Sequence, residues 1–207
     1  MTQTTYAAAW VPSGDPARSL DAAAELATAW VLLQAKALGT KPVLVTENQA
    51  QWSLGPDAIR KFAATSDTVT SRGKKPSGHG RAVLAYLPRY RDMYRALPYA
   101  RDGALAVVEF GSDPLIGWAM ETHAVNLEDD QTTLETWTPP QRSLLEYVHR
   151  NGNNGWANGF GAENAASQLR ELIAGGVDQD IILGFMVARG HDEESLERLA
   201  AIIKEIL

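Results

Sequence analysis

The sequence predicts an α/β protein. A mostly parallel sheet of about four strands lies between two layers of helices, and a C-terminal helical module follows. Three observations support this prediction. Short apolar runs alternate with segments of helical periodicity over the first 128 residues. The connections between these segments are short, which is typical of β-α-β units. After the Pro-Pro pair at 139–140, every regular pattern is helical.

Each predicted strand is a short apolar run bounded by turn residues. A continuous run such as PVLVTE indicates a strand that is covered on both faces. The predicted strands span residues 5–11, 42–47, 81–87 and 104–110. The predicted helices between or after them span residues 17–38, 55–64, 89–97 and 114–125. Gly39 suits the left-handed position that ends the first helix, and Pro98 marks the end of the third.

The sequence therefore divides into an α/β domain at 1–128, an acidic and proline-containing linker at 129–140, and a helical module at 141–207. Helices in the module are predicted at 141–150, 162–174, 179–188 and 193–207. The loop at 151–161 is rich in Asn and Gly, which favour turns. We expect Trp156 and Phe160 to pack this loop against the helices. An alternative is a peptide- or base-contacting loop in which Trp156 is the anchor.

Several function classes lack their signatures. The chain has no cysteine, its first residues do not form a signal peptide, and no apolar run approaches the roughly 20 residues that span a bilayer. We therefore expect a cytoplasmic protein without a membrane partner. The four histidines are far apart, so neither a metal nor a cofactor is predicted. The glycines at 73–80 have phosphate-loop spacing, but they lead into a strand and lack the Lys-Ser/Thr pair.

Basic residues are concentrated between Arg60 and Arg101. This segment holds ten of the 19 Lys and Arg residues and only two acidic residues, a net charge of +8, whereas the whole chain carries −6. Such segregation indicates an anionic partner.

The leading hypothesis is a binding protein whose segment 72–101 engages phosphates, most plausibly of nucleic acid or another polyanion. Cationic side chains supply Coulomb attraction and hydrogen bonds to phosphate. The candidate residues are Arg72, Lys74, Lys75, Arg81, Arg89, Arg91 and Arg95.

Two alternatives remain open. In open α/β sheets, ligands bind at the carboxyl ends of the strands, where Ser13, Glu47 and Glu109 would lie. These residues, with Arg89, would form the pocket of an enzyme or nucleotide sensor, in which the two glutamates act as an acid–base pair or hold a magnesium ion. The second alternative is an assembly or adaptor protein, including a homo-oligomer, whose basic face meets an acidic one. The sequence identifies no reaction.

Overall fold

A seven-stranded sheet forms the centre of the computed structural model, which describes residues 6–14, 19–73, 76–109, 113–157 and 159–207. The strand order is β3-β2-β4-β5-β1-β6-β7, with β7 alone antiparallel to its neighbour. The strands are β1 (Ala7–Val11), β2 (Val43–Val45), β3 (Asp67–Val69), β4 (Ala82–Tyr86), β5 (Ala104–Val108), β6 (Val125–Asn126) and β7 (Gln131–Thr132). The α/β class, the mostly parallel sheet and the C-terminal helical region are confirmed.

The helices cover both faces of the sheet. The first face is covered by α1 (Leu20–Leu38), α2 (Gln49–Ser53) and α3 (Asp57–Thr65). The second face is covered by α4 (Tyr90–Ala100), α5 (Ile116–Glu121), α6 (Pro139–Asn151), α7 (Phe160–Ala174), α8 (Gln179–Ala188) and α9 (Glu193–Ile206). Side chains of the strands alternate between the two cores, as the pleat requires. On β4, for example, Leu84 lies in the first core and Val83 in the second.

The C-terminal helices share one apolar core with the second face of the sheet. The closest approach joins α5 to α8 through two glycines. A Cβ atom added at Gly117 would lie 2.0 Å from the carbonyl oxygen of Ile181, and one added at Gly184 would lie 2.7 Å from the backbone nitrogen of Trp118. Only glycine permits this contact, so the two backbones pack directly on one another. Whether 1–128 and 141–207 can fold separately stays a prediction.

The number of strands exceeds the predicted value of about four. The additional strands β3, β6 and β7 have only two or three residues each. Such segments are too short to show an alternating pattern, and β3 falls in the segment 65–80 that the polar composition predicts to be a loop. The predicted helix at 114–125 is shorter than expected because β6 begins at Val125, and the predicted linker contributes β7.

The loop after α6 is closed by Trp156, which is 2% exposed and donates its indole N–H to the carbonyl oxygen of Val148 at 3.2 Å. Phe160 does not share this role, because 79% of it is exposed. No helix in the described parts of the chain combines the length and the apolar character needed to cross a membrane.

Candidate functional site

The carboxyl ends of β2, β4, β5 and β1 are aligned and form what is called here the carboxyl edge. Val45 pairs with Ala85, and Val108 pairs with both Tyr86 and Val11. From this edge the chain leaves β1 and β2 toward helices on the first face, but it leaves β4 and β5 toward helices on the second. The neighbouring pairs β2/β4 and β5/β1 therefore diverge. Such switch points open crevices in which α/β proteins bind ligands.

At the β2/β4 switch point, the side chain of Gln51 bridges the two strand ends. Its Oε1 accepts the backbone N–H of Glu47 at 2.8 Å, and its Nε2 donates to the carbonyl oxygen of Leu87 at 3.3 Å. Leu87 has a φ of +50°, a left-handed conformation that is uncommon for a bulky residue. Strained backbone of this kind is concentrated at functional sites in proteins.

A cavity of about 490 Å³, called the edge cavity here, opens beside this bridge on the first face. Apolar parts of its wall come from residues such as Leu20, Leu54 and Leu87. Polar groups converge on it from α1, α2, α3 and β4. They belong to Asp21, Gln51, Asp57, Arg60 and Tyr86.

The polar groups lie at different depths in the edge cavity. Tyr86 is 1% exposed, and burial, followed by the nearby negative charge of Asp21, raises the pKa of its phenol to about 12. Its hydroxyl therefore remains a hydrogen-bond donor at neutral pH. Asp57 and Arg60 are more exposed and form an ion pair at 3.1 Å. A hydrogen bond from Lys61, with further help from Arg60, lowers the pKa of Asp57, so the cavity keeps an ionised carboxylate.

At the β5/β1 switch point, Glu109 is 9% exposed and its carboxylate accepts three hydrogen bonds. Oε2 accepts the backbone N–H of Ser13 at 2.8 Å and its hydroxyl at 3.0 Å, and Oε1 accepts the N–H of Leu115 at 2.6 Å. The structure thus brings Ser13 and Glu109 together. These hydrogen bonds clamp the loop after β1 to the start of α5. Both oxygens of the carboxylate are therefore already used in contacts that stabilise the fold.

Glu47 lies at the same edge but in the other crevice. The register of the three strands places Glu47 and Glu109 two strands apart, which is about 10 Å. The Glu47 carboxylate forms an ion pair with Arg91 and lies 3.9 Å from Nε of Arg89. Arg91 also lies 3.9 Å from Glu193 of α9. The predicted acid–base pair therefore consists of two carboxylates that each bind groups of the protein itself.

The predicted basic residues lie at both edges of the sheet. Arg81 precedes β4 and Arg89 follows it, so a strand of about 16 Å separates them. Arg81 is 11% exposed, donates to the carbonyl oxygen of Lys41 at 2.8 Å and bonds the carboxylate of Asp67 at 2.6 Å. These contacts join the amino ends of β2, β3 and β4, which is a structural role.

Arg95 and Arg101 have equally local partners. Arg95 bonds the buried Asp92 at 2.6 Å, and burial raises the pKa of that carboxyl group despite the two neighbouring arginines. Arg101 lies 3.9 Å from Asp102. Arg72 is exposed, and no carboxylate of the described residues lies within 4 Å of it. Lys74 and Lys75 lie outside the described residues. A polyanionic partner for this segment stays a prediction.

A second cavity, of about 260 Å³, lies between α4, α8 and α9. Four carboxylates line it, those of Asp113, Asp180, Glu193 and Glu197. Burial is the main cause that raises the pKa of Asp113 and of Asp180. No group of three or more His, Asp or Glu side chains with the geometry of a metal site occurs among the residues that the structure describes.

Comparisons with protein-family models, with characterised proteins and with solved structures found no match to this chain.

The sequence pattern does not indicate the residues of the edge cavity. Asp21 and Asp57 lie in the first turns of α1 and α3. Acidic residues are common there because they interact favourably with the helix dipole, so their position alone does not indicate a site. Tyr86 and Leu87 belong to an apolar strand and its end. The one available signal was the general rule that ligands bind at the carboxyl edge, and the cavity does lie there.

Proposed function

We propose that the protein binds a small polar molecule, about the size of a nucleoside or an amino acid, in the edge cavity. The observation that carries this proposal is the convergence of five polar side chains on a space of about 490 Å³ at the β2/β4 switch point. Ligand pockets in proteins span about 300–1,000 Å³ and combine an apolar lining with a few polar groups that orient the ligand.

The charges of the wall indicate the class of ligand. Asp57 is paired with Arg60 at 3.1 Å and with Lys61 at 2.6 Å, whereas Asp21 has no ion pair among the described residues, so Asp21 supplies the uncompensated negative charge of the wall. A phosphate group beside the unpaired carboxylate of Asp21 would be repelled, because like charges interact unfavourably. The wall therefore suits a neutral or positively charged molecule. Hydroxyl or amine groups of the ligand would donate to the two aspartates, and the Tyr86 hydroxyl would donate to an acceptor.

The strained backbone of Leu87 supports the same location. Its carbonyl oxygen is held by Gln51 and its N–H donates to the carbonyl oxygen of Val108 at 2.9 Å. These two bonds hold the side chain of Leu87 against the cavity. Preorganised walls reduce the entropy cost of binding, which is one reason that strain persists at binding sites.

The hypothesis of a nucleic-acid partner has less support from the geometry. Its candidate arginines are split between two sheet edges, and those at positions 81, 89, 91 and 95 have carboxylates of the protein within 4 Å. Replacing these intramolecular pairs with phosphate contacts would leave the carboxylates unpaired.

A fragment screen by two-dimensional amide NMR tests the proposal. A library with equal numbers of neutral, cationic and anionic fragments is titrated into the protein. We expect neutral and cationic fragments to shift the amides of Gln51, Leu54, Gly55 and Leu87. We expect anionic fragments to bind at least about tenfold more weakly, which corresponds to about 1.4 kcal/mol.

A matched pair of alanine-to-tryptophan variants gives the control. Ala50 is exposed and lines the edge cavity, so Ala50→Trp should fill it without disturbing the core. Ala64 is exposed on α3 and does not line it. Fragment binding should be lost in Ala50→Trp and retained in Ala64→Trp. The proposal is wrong if no fragment shifts these amides, or if binding survives in Ala50→Trp.

A further inference from the structure

Tyr86, at the carboxyl end of β4, is a buried residue whose hydroxyl has no partner in the fold. The residue is 1% exposed and packs with the apolar residues of the first core. No described residue forms a hydrogen bond with its hydroxyl, which is open to the edge cavity that the residue lines. Buried polar side-chain atoms in proteins almost always have a partner. A phenylalanine would fill the same place in the core, so the hydroxyl serves the cavity and not the packing.

Asp21 supplies a second group without a partner at the same cavity. Its carboxylate forms neither a hydrogen bond nor an ion pair with the described residues, whereas that of Asp57 is held by Arg60 and Lys61. The negative charge of Asp21 is near enough to contribute to the raised pKa of Tyr86. The cavity therefore presents a donor and a charged acceptor near one another, and no hydrogen bond joins them.

These two groups select one functional group of a ligand. An ammonium group donates to a carboxylate but cannot accept the O–H of Tyr86, and a carbonyl group accepts that O–H but cannot donate to Asp21. A hydroxyl group does both, because it has one donor and two lone pairs. The second oxygen of the carboxylate accepts from a second hydroxyl on the neighbouring carbon atom. A vicinal diol therefore satisfies both side chains, and its bonds to the carboxylate are of the stronger, charge-assisted kind.

We propose that the edge cavity binds the vicinal diol of a sugar ring. One hydroxyl accepts from Tyr86 and donates to Asp21, and the other donates to Asp21. The carbon atoms of the ring pack against Leu20 and Leu54 in the apolar part of the wall. This inference rests on the function proposed for the edge cavity, and it narrows the ligand to a free sugar or a nucleoside.

Titrations followed by amide NMR test the role of the diol. Methyl ribofuranoside carries the diol on an uncharged ring, and its deoxy analogue lacks one of the two hydroxyls. We expect the ribofuranoside to shift the amides of Gln51 and Leu87. We expect the deoxy analogue to bind at least about tenfold more weakly, because a hydrogen bond to a charged group is lost.

Adenosine and deoxyadenosine repeat the comparison with a base attached to the ring. The same loss of at least about tenfold is expected for the deoxy compound. Adenosine that binds at least about tenfold more tightly than methyl ribofuranoside would assign the diol to a nucleoside, and a smaller difference would assign it to a free sugar.

Two variants assign the contacts. Tyr86→Phe should weaken binding of the tighter diol about tenfold, and its urea midpoint should not fall, because the hydroxyl has no partner in the fold. Asp21→Ala should weaken binding at least about tenfold, because both hydroxyls bond to this carboxylate. Tyr94→Phe and Glu25→Ala are the matched controls, at exposed residues outside the edge cavity, and should bind like the wild type.

Three results would overturn the proposal. The first is that neither methyl ribofuranoside nor adenosine shifts the amides of the edge cavity. The second is that the deoxy analogues bind as tightly as the diols. The third is a Tyr86→Phe protein that binds like the wild type, or that unfolds at a lower urea concentration. If fragments of the NMR screen still bind in the edge cavity in these cases, its function as a binding site stands and only the diol is wrong. If neither fragments nor diols bind there, both proposals fail.

Discussion

Replacement of Gly117 by alanine tests how the C-terminal helices attach to the sheet. Gly117 of α5 faces α8, and an added Cβ would lie 2.0 Å from the carbonyl oxygen of Ile181 and 2.8 Å from the backbone nitrogen of Phe185. Both atoms belong to backbone that cannot rotate away. Ordinary contact begins at about 3.4 Å, so α8 would have to move by about 1.4 Å.

The cost of this movement follows from what α8 packs against. Phe185 and Met186 are fully buried in the shared core. A gap of 0.5–1 Å already removes about a quarter to a half of the dispersion energy at a contact. Overpacked cores lose about 1–3 kcal/mol and sometimes more. We therefore expect Gly117→Ala to lower the free energy of unfolding by about 3 kcal/mol.

Urea unfolding followed by circular dichroism measures this loss. For a chain of this length, 3 kcal/mol corresponds to a fall in the melting temperature of about 6–12 °C. The slope of the transition should stay unchanged, and the unfolding should remain a single transition because the sheet and α8 share one core. Gly14→Ala is the control, since a Cβ at Gly14 meets no atom within 4 Å.

A loss below about 0.5 kcal/mol for Gly117→Ala would show that α5 and α8 do not pack as closely as described. Two separate transitions in the wild-type protein would show that residues 141–207 unfold as a unit of their own.

Two further predictions concern buried polar groups. Nδ1 of His149 lies 2.9 Å from Nε2 of His191, and burial, with a smaller contribution from His149, lowers the pKa of His191 to about 4. Between pH 6.5 and 4 the unfolded chain therefore binds more protons than the folded chain does. We expect the free energy of unfolding to be highest above pH 6.5 and to fall by about 3 kcal/mol toward pH 4. Urea titrations of the wild type and of His191→Gln measure this, and equal pH dependence in both would contradict it. Glu109→Gln should cost about 2 kcal/mol, because the amide would direct a donor at the N–H of Ser13 or of Leu115. A Glu109→Gln protein with wild-type urea stability would show that the clamp is not needed.

The strands that the sequence predicted are those with several apolar residues in succession. The run RAVLAYL predicts β4, and the structure has Ala82–Tyr86 there. The run DTV of β3 is too short to stand out within a polar segment, yet its three residues pair with all three of β2. Strands of this length are held by their neighbours more than by their own sequence.

The basic segment shows why a cluster of cations in the sequence does not predict a basic surface on the folded protein. Arg81 finds its carboxylate at Asp67 because β3, β2 and β4 are adjacent in the sheet, an order that the sequence does not give. Arg91 finds Glu47 for the same reason. A net charge counted along the chain cannot show which cations are already paired, since the partners are brought together by topology.

The edge cavity could not be predicted from the sequence for the same reason, because topology brings its residues together. Its wall combines residues 20–21, 50–60 and 86–87. They meet because β1 is followed by a helix that crosses β5 and β4 to reach β2. The rule for carboxyl edges indicates the end of the sheet at which this cavity lies. Of the residues it indicated, however, Ser13 and Glu109 bind each other and Glu47 pairs with Arg91.

A crystal structure of the protein soaked with the tightest-binding neutral or cationic fragment tests the proposed function most directly. We predict electron density for the fragment in the edge cavity, over the Tyr86 hydroxyl and within hydrogen-bond distance of Asp21 or Asp57. Density confined to another location, such as the carboxylates around Asp180 or the surface near Arg89, would contradict the assignment of this cavity as the binding site.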